Sequence, residues 1–314
     1  MGRKAQRNMV VIAMREVIDT NSAIRDEDNA FNLIATPNYP ELQPNMVVLN
    51  NDRGGTGFII GDTPMRLADN ATDIQAWATN AAGATSTGEE GLVTRDSYMG
   101  IFYPSGITSD LSGNLVAVPA SHMMIRTILR NDTVAFPWFA PAGTRRGLID
   151  NATNIGYVSA TTGEFVTIKT SVGIRDVLYT NQINPMVFFT GNGLLNYGNK
   201  TSFNSQSALD RINVARLVAY VRRQLTLAAR PFVFEPNDQL TRQQITGVIQ
   251  SLFVDLVAKR GVYDFLVVCD ESNNTPARID RNELWVDVAI EPVKAVEFIY
   301  IPLRLKNTGE IKGL

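Results

Sequence analysis

Apolar residues along this chain change their spacing from segment to segment, and each change marks an element. Over residues 9–24, Val10, Ile12 or Ala13, Val17 and Ile24 recur at a spacing that suits a helix lying on a sheet, and Asp26, Glu27 and Asp28 end it. Short apolar runs predict strands at 31–35 and 57–60, with a short helix at 44–49 between them. A further helix is predicted at 73–82, where Asp73 near the start can meet unpaired amides. A strand at 98–103 follows a glycine-rich loop at 81–91. Val118-Pro119-Ala120-Ser121 then opens a helix through Met123, Met124, Ile128 and Leu129. Strands alternating with helices in this way predict βαβ units and an α/β fold built on a mixed, largely parallel sheet flanked by helices.

The pattern is weaker in the middle of the chain and clear again towards its end. The aromatic and proline cluster at 136–141 carries much apolar area and little regular-structure signal, so it is expected as a packed core loop. Thr161-Thr162-Gly163-Glu164 reads as a hairpin turn between Tyr157 and Val166, Val187-Phe188-Phe189 as a short core strand, and 192–207 as loop. A helix is predicted at 208–229, with Val214, Leu217, Val218, Val221 and Leu225 on one row, Arg211, Arg216, Arg222 and Arg223 mostly off it, and Pro231 as its stop. In the next helix Thr241 and Gln244 fit a capping box. Ile245, Val248, Ile249, Leu252, Phe253 and Leu256 form its apolar stripe, and Arg242, Gln243, Gln250, Asp255 and Lys259 lie outside it.

Phe265 to Val268 and Leu284 to Ile290 then read as two buried strands. A last segment, 297–305, is two-faced: Ile299, Ile301, Leu303 and Leu305 fall on one side, and Phe298, Tyr300, Pro302, Arg304 and Lys306 on the other. Pro302 makes it an edge strand. Such an edge is either completed by a neighbouring subunit or folded back on its own domain, and the pattern leaves both open.

Composition narrows the chemistry. The 29 basic and 31 acidic residues nearly cancel, so no global field points to nucleic acid or an anionic membrane. The one cysteine, Cys269, cannot form an internal disulfide and is expected to be an inert core thiol in a reducing compartment. The basic start at 2–8 runs into Arg15 and Glu16, which breaks any secretory signal, and no segment approaches the roughly 20 apolar residues of a membrane span. With one histidine, His122, a Ser-His-Asp site has a single possible base, and no nucleophile signature surrounds it. No metal-ligand spacing occurs, so neither metal nor cofactor is expected. Gly54-Gly55-Thr56-Gly57 lies before its strand and lacks the Lys-Ser/Thr of a phosphate loop, so it reads as a turn. Asp62 stands where an α/β enzyme could place a carboxylate, but next to Thr63-Pro64 it reads as a turn former.

Three separated segments carry a family resemblance. They are Phe136-Pro137-Trp138-Phe139-Ala140-Pro141-Ala142-Gly143; Asn213-Val214-Ala215-Arg216-Leu217 with Phe234-Glu235-Pro236-Asn237-Asp238; and Cys269-Asp270-Glu271-Ser272-Asn273-Asn274-Thr275-Pro276 leading to Ile279-Asp280-Arg281-Asn282-Glu283-Leu284 and Ala295-Val296-Glu297-Phe298-Ile299. In this order they resemble the C-terminal core of contractile phage tail sheath proteins, most strongly over 98–305. The resemblance implies no catalysis. It implies subunits stacked as hexameric rings around a tail tube, contracting to drive the tube through the host envelope. The implied partners are other copies of the chain, the tail tube protein, and baseplate and tail terminator proteins, with no nucleic acid and no membrane insertion. The implied setting is the virion tail, after synthesis in the host cytoplasm.

On this resemblance the core spans 1–295, with 1–95 the weaker match, and 296–314 is a C-terminal strand arm that pairs with a neighbouring subunit. Its inter-subunit strand comprises Glu297, Phe298, Ile299, Tyr300, Ile301, Leu303, Arg304 and Leu305. The helix at 241–260 is the candidate tube-facing element, through Arg242, Gln243, Lys259 and Arg260. An N-terminal arm of the kind the family uses is not seen, and the expectation is a core fragment of a longer protein. The alternatives are a sheath-like baseplate or adaptor protein and, in another class, an α/β hydrolase.

Overall fold

A computed structural model describes residues 2–85 and 87–297. In chain order it runs through α1 (Arg3–Thr20), β1 (Leu33–Ala35), α2 (Gln43–Asp52), β2 (Phe58–Asp62), α3 (Ala71–Ala78), β3 (Met99–Tyr103), β4 (Ser105–Ser109), β5 (Leu115–Val118), α4 (Ala120–Val134) and α5 (Gly143–Arg146). It continues through β6 (Asn154–Val158), β7 (Phe165–Thr167), α6 (Val172–Thr180), β8 (Ile183–Phe189), β9 (Gly193–Asn196), α7 (Ile212–Ala229), α8 (Gln239–Ala258), β10 (Val262–Val268), α9 (Pro276–Ile279) and β11 (Asp287–Pro292).

The expected parallel sheet is present, in the order β1-β2-β3-β8-β9, with β1 to β8 parallel and β9 antiparallel at one edge. Helices cover both faces, so β2 and β3 are buried at every position and read in sequence as apolar runs without alternation. Their side chains still divide by the period of two. Phe58, Ile60 and Phe102 meet α4 and α7 through Met123, Met124, Ile212 and Ala215, whereas Ile59, Met99 and Ile101 meet α2, α3 and α6 through Met46, Ile74, Trp77 and Leu178. Gly100 allows α7 to come close, because a Cβ there would stand 3.1 Å from both Ile212 Cδ1 and Phe58 Cζ.

A second, antiparallel sheet has the order β5-β4-β6-β7. Tyr157 pairs with Val166 across the turn read from the sequence. A third sheet is the antiparallel pair β10-β11, which packs on α8.

Several boundaries differ from the sequence reading for local reasons. Helix α3 starts two residues earlier than Asp73 because Asn70 caps it: Asn70 Oδ1 accepts from the Asp73 amide at 2.8 Å, and Asn70 Nδ2 donates to the Asp73 carboxylate at 2.7 Å. Helix α8 is capped by Asp238, whose carboxylate accepts from the Thr241 amide at 2.9 Å, so Thr241 and Gln244 lie inside the helix instead of forming a capping box. The stretch at 192–207 contains β9, whose Leu194 and Leu195 are buried. Within 136–141, Trp138 is buried and donates to Lys259 O at 3.1 Å, while Phe136 stacks on it at 4.9 Å between ring centroids and stays partly exposed.

Asp62 is more than a turn former. It is fully buried at the end of β2, where its carboxylate accepts from the Asn38 amide (2.8 Å), the Ser121 amide (2.6 Å) and the Ser121 hydroxyl (2.8 Å). Pro119 at the α4 N-cap position makes no side-chain cap, and Asp62 supplies the missing acceptor from another strand. Burial without a cationic partner pushes its pKa up to about 6, against the pull of those three hydrogen bonds.

Candidate interface around the C-terminal strands

Strands β10 and β11 pair in one register along most of their length, with Phe265 opposite Ile290 and Val267 opposite Val288. These four side chains face α8, where Phe265 stacks on Phe253 at 5.2 Å and the buried row Ile245, Ile249, Phe253 and Leu256 lies beneath them. Leu266 and Ala289 point the other way and are exposed. The expectation of two buried strands is therefore corrected: each strand buries one face only, because a single helix covers one side. Among the described residues no strand pairs with the outer edge of either β10 or β11. A two-stranded ribbon with two free edges is poorly stable alone and presents unpaired main-chain groups to any strand nearby.

The segment between the two strands explains the Ser-Asn-Asn-Thr-Pro motif. Asn274 exchanges two hydrogen bonds with the Trp285 backbone, at 2.9 and 2.8 Å, and Asn273 donates to Val268 O and to the Asp287 carboxylate at 2.8 and 2.9 Å. Both asparagines are buried, so their amides replace the main-chain pairing that a tight turn would otherwise supply. The Arg278 guanidinium lies over the Trp285 ring at 3.9 Å and closes the outside of the loop. Cys269, beside this network, is half-buried, and burial raises its thiol pKa.

After β11 the chain crosses back to the main core. Val293 donates its amide to Gly261 O at 3.1 Å and accepts from Asn213 Nδ2 at 3.3 Å. Four residues on, Glu297 accepts from Arg211 Nε at 2.6 Å and from the Tyr179 hydroxyl. The Arg211 pKa is raised: burial works to lower it, but Glu297, Tyr179 and Asp210 outweigh burial. The Tyr179 hydroxyl is pushed up by burial first and by Glu297 second. The side chain of Glu297, expected as the first residue of an inter-subunit strand, is thus held by its own core, because Arg211 at the α7 N-cap position faces it. The other residues of that expected strand, Phe298, Ile299, Tyr300, Ile301, Leu303, Arg304 and Leu305, lie outside the described residues.

The candidate tube-facing residues do not share one surface. Gln243, Lys259 and Arg260 are exposed, and Lys259 pairs with Asp255 at 2.7 Å. Arg242 is buried on the side of α8 that carries Ile245 and Ile249, within 3.3 Å of Asn237 Oδ1, which corrects its expected exposure. The outward face of α8 is mainly uncharged, with Leu240, Val248 and Val254 exposed among Gln244, Gly247 and Ser251. The exposed-arginine reading of α7 is corrected in the same way. Arg216 is buried in a two-pronged ion pair with Asp132, at 2.9 and 2.5 Å, whereas Arg222 stays exposed with its guanidinium over the Tyr98 ring.

The residues that a hydrolase would need are dispersed. His122 is exposed on α4, while the adjacent Ser121 points into the core, where its hydroxyl donates to the Asp62 carboxylate at 2.8 Å.

Residues 204–306 match the family model described as the phage tail sheath C-terminal domain, and this span holds α7, α8, β10, β11 and the loop built on Asn273 and Asn274. Over this span the chain is similar to phage tail sheath proteins. The tail sheath protein of Vibrio phage KVP40 is 38% identical over 168 residues, covering 54% of this chain and 23% of the relative. The tail sheath protein of Enterobacteria phage T4 is 32% identical over 201 residues, covering 63% of this chain and 29% of the relative. The chain thus spans about a quarter of the length of these sheath relatives. Its fold also matches solved structures of contractile systems. A sheath complex of the extracellular contractile injection system PVC in the contracted state superposes with a TM-score of 0.71 at 18% identity, covering 94% of this chain and 75% of that one. The baseplate of the anti-feeding prophage in the contracted state gives 0.70 at 20% identity, covering 97% and 78%.

Proposed function

We propose that this chain forms the core and C-terminal part of a contractile tail sheath subunit, with no catalytic activity. Copies of it stack as hexameric rings around a tail tube in the virion tail, and the stack contracts to drive the tube through a host envelope. The division follows the sequence reading: residues 1–295 form the core, and 296–314 form an arm that adds a strand to a neighbouring copy. The observation that carries this reading is the β10-β11 sheet, whose outer edges meet no strand among the described residues, because strand addition would satisfy those main-chain groups and link copies through hydrogen bonds. Contacts of this kind join different surfaces of two copies, so they extend into rings and helical stacks. Helix α8 faces the tube through its outward side. With Arg242 turned inward, the contact uses the apolar positions Leu240, Val248 and Val254 beside Gln243, Lys259 and Arg260. The remaining partners are the baseplate and terminator at the two ends of the stack.

Electron microscopy of the purified chain tests the reading. Rings or striated tubes are expected from the full chain, and their loss is expected from a chain ending at Glu297. A full chain that remains monomeric at high concentration, or tubes that form equally well after the truncation, would overturn it.

A further inference from the structure

The segment from Val293 to Glu297 is tied at both ends and bare between them. Val293 is fixed by Gly261 and Asn213, and Glu297 by Arg211 and Tyr179, whereas Lys294, Ala295 and Val296 are exposed and belong to no helix or strand. The receiving socket is cross-tied by several contacts of its own. Arg211 pairs through its backbone with Lys200 and through its side chain with Asp210 at 3.1 Å. Lys200 Nζ donates to Tyr179 O at 2.8 Å and sits 3.8 Å from the Tyr179 ring centre, and Asn184 of β8 holds Lys200 O at 2.8 Å. Three elements of the main core therefore converge on one carboxylate that arrives from the small sheet.

We infer that Glu297, Arg211 and Tyr179 form a clasp that sets the reach of the C-terminal segment. With the clasp closed, the segment departs from the main core at the start of α7, and a pull on it is taken by that core. With it open, the point of departure retreats to Val293, next to the small sheet. Residues 294–297 are then released, adding roughly 13 Å of extended chain. The ends differ in kind. The Val293 end rests on neutral hydrogen bonds, while the Glu297 end is a charge-assisted contact that is partly open to solvent, so the Glu297 end is the one that salt and load release first. The inference rests on the strand-linking reading only for what the segment meets beyond residue 297; the clasp itself is a property of one subunit.

Trypsin digestion of unassembled full chain, followed by mass spectrometry, tests it. Cleavage after Lys294 reports the strap, and cleavage after Arg145, exposed on α5, reports the rest of the fold. In Glu297→Gln and Arg211→Gln, cleavage after Lys294 should rise about tenfold, the effect of losing a charge-assisted hydrogen bond, while cleavage after Arg145 holds. Tyr179→Phe should give a smaller rise at the same bond. An unchanged rate after Lys294 in Glu297→Gln, or an equal rise at both bonds, would overturn the clasp. Because the subunits are unassembled, failure of the sheath reading leaves this result standing, and the reverse also holds.

Discussion

The central sheet and the C-terminal sheet use similar residues and reach opposite outcomes. Strands β2 and β3 have neighbours on both edges and helices on both faces, and every residue in them is buried within the subunit. Strands β10 and β11 have one covered face, one open face and two free edges among the described residues. The difference lies in the helices: α2, α3, α4, α6 and α7 surround the first sheet, and α8 is the one long helix beneath the second. The central strands of the first sheet are paired on both edges and covered on both faces; the second sheet has edges that no strand among the described residues pairs.

Substitutions should separate the two. The largest effect is expected in the central sheet, where Phe102→Ala removes a fully buried ring and should cost about 3–5 kcal/mol in denaturant unfolding. Next comes Asp62. Its folded pKa is raised to about 6 from an ordinary value of 3.8, so the folded state binds the proton more tightly than the unfolded chain does. The stability it contributes is complete below about pH 4 and is lost as pH rises through 6, an amount on the order of 3 kcal/mol. Unfolding measured from pH 4 to 7 should show this falling limb, and Asp62→Asn should remove it.

In the small sheet the expected changes are more local. Asn274→Ala strips the bonds to Trp285 and should cost about 1–3 kcal/mol. Hydrogen exchange should place the loss in β10 and β11, with β2 and β3 unchanged. The smallest effect belongs to Leu266→Ser on the open face, within about 0.5 kcal/mol for the isolated subunit. If Leu266→Ser instead destabilised the lone subunit as much as Phe102→Ala, the contrast between the sheets would fail.

How much of this was legible in the sequence follows the same division. The parallel core was readable because Phe58 to Ile60 and Met99 to Tyr103 form apolar runs separated by helical spacing. The antiparallel sheet was largely hidden: Ser105 to Ser109 is mostly small and polar, and Leu115 and Val116 are apolar yet exposed. Only its Tyr157–Val166 turn announced itself, through Thr-Thr-Gly-Glu. Long-range polar pairs left no local trace. Arg216 and Asp132 stand 84 positions apart, and a rule that places charges outward misreads that arginine. Arg242 failed the same rule. The side-chain bonds of Glu297 left no local trace either, since Arg211 and Tyr179 lie 86 and 118 positions before it. The buried pair Asn273 and Asn274 stood in a recognisable motif, but its role in closing the β10-β11 loop needed the fold.

We propose above all that the edges of β10 and β11, unpaired among the described residues, are completed by another copy of the chain. Hydrogen exchange of those edge amides, compared between isolated subunits and assembled particles, tests it most directly. Strong protection appearing only on assembly is the predicted result, and equal exchange in the two states would contradict the account.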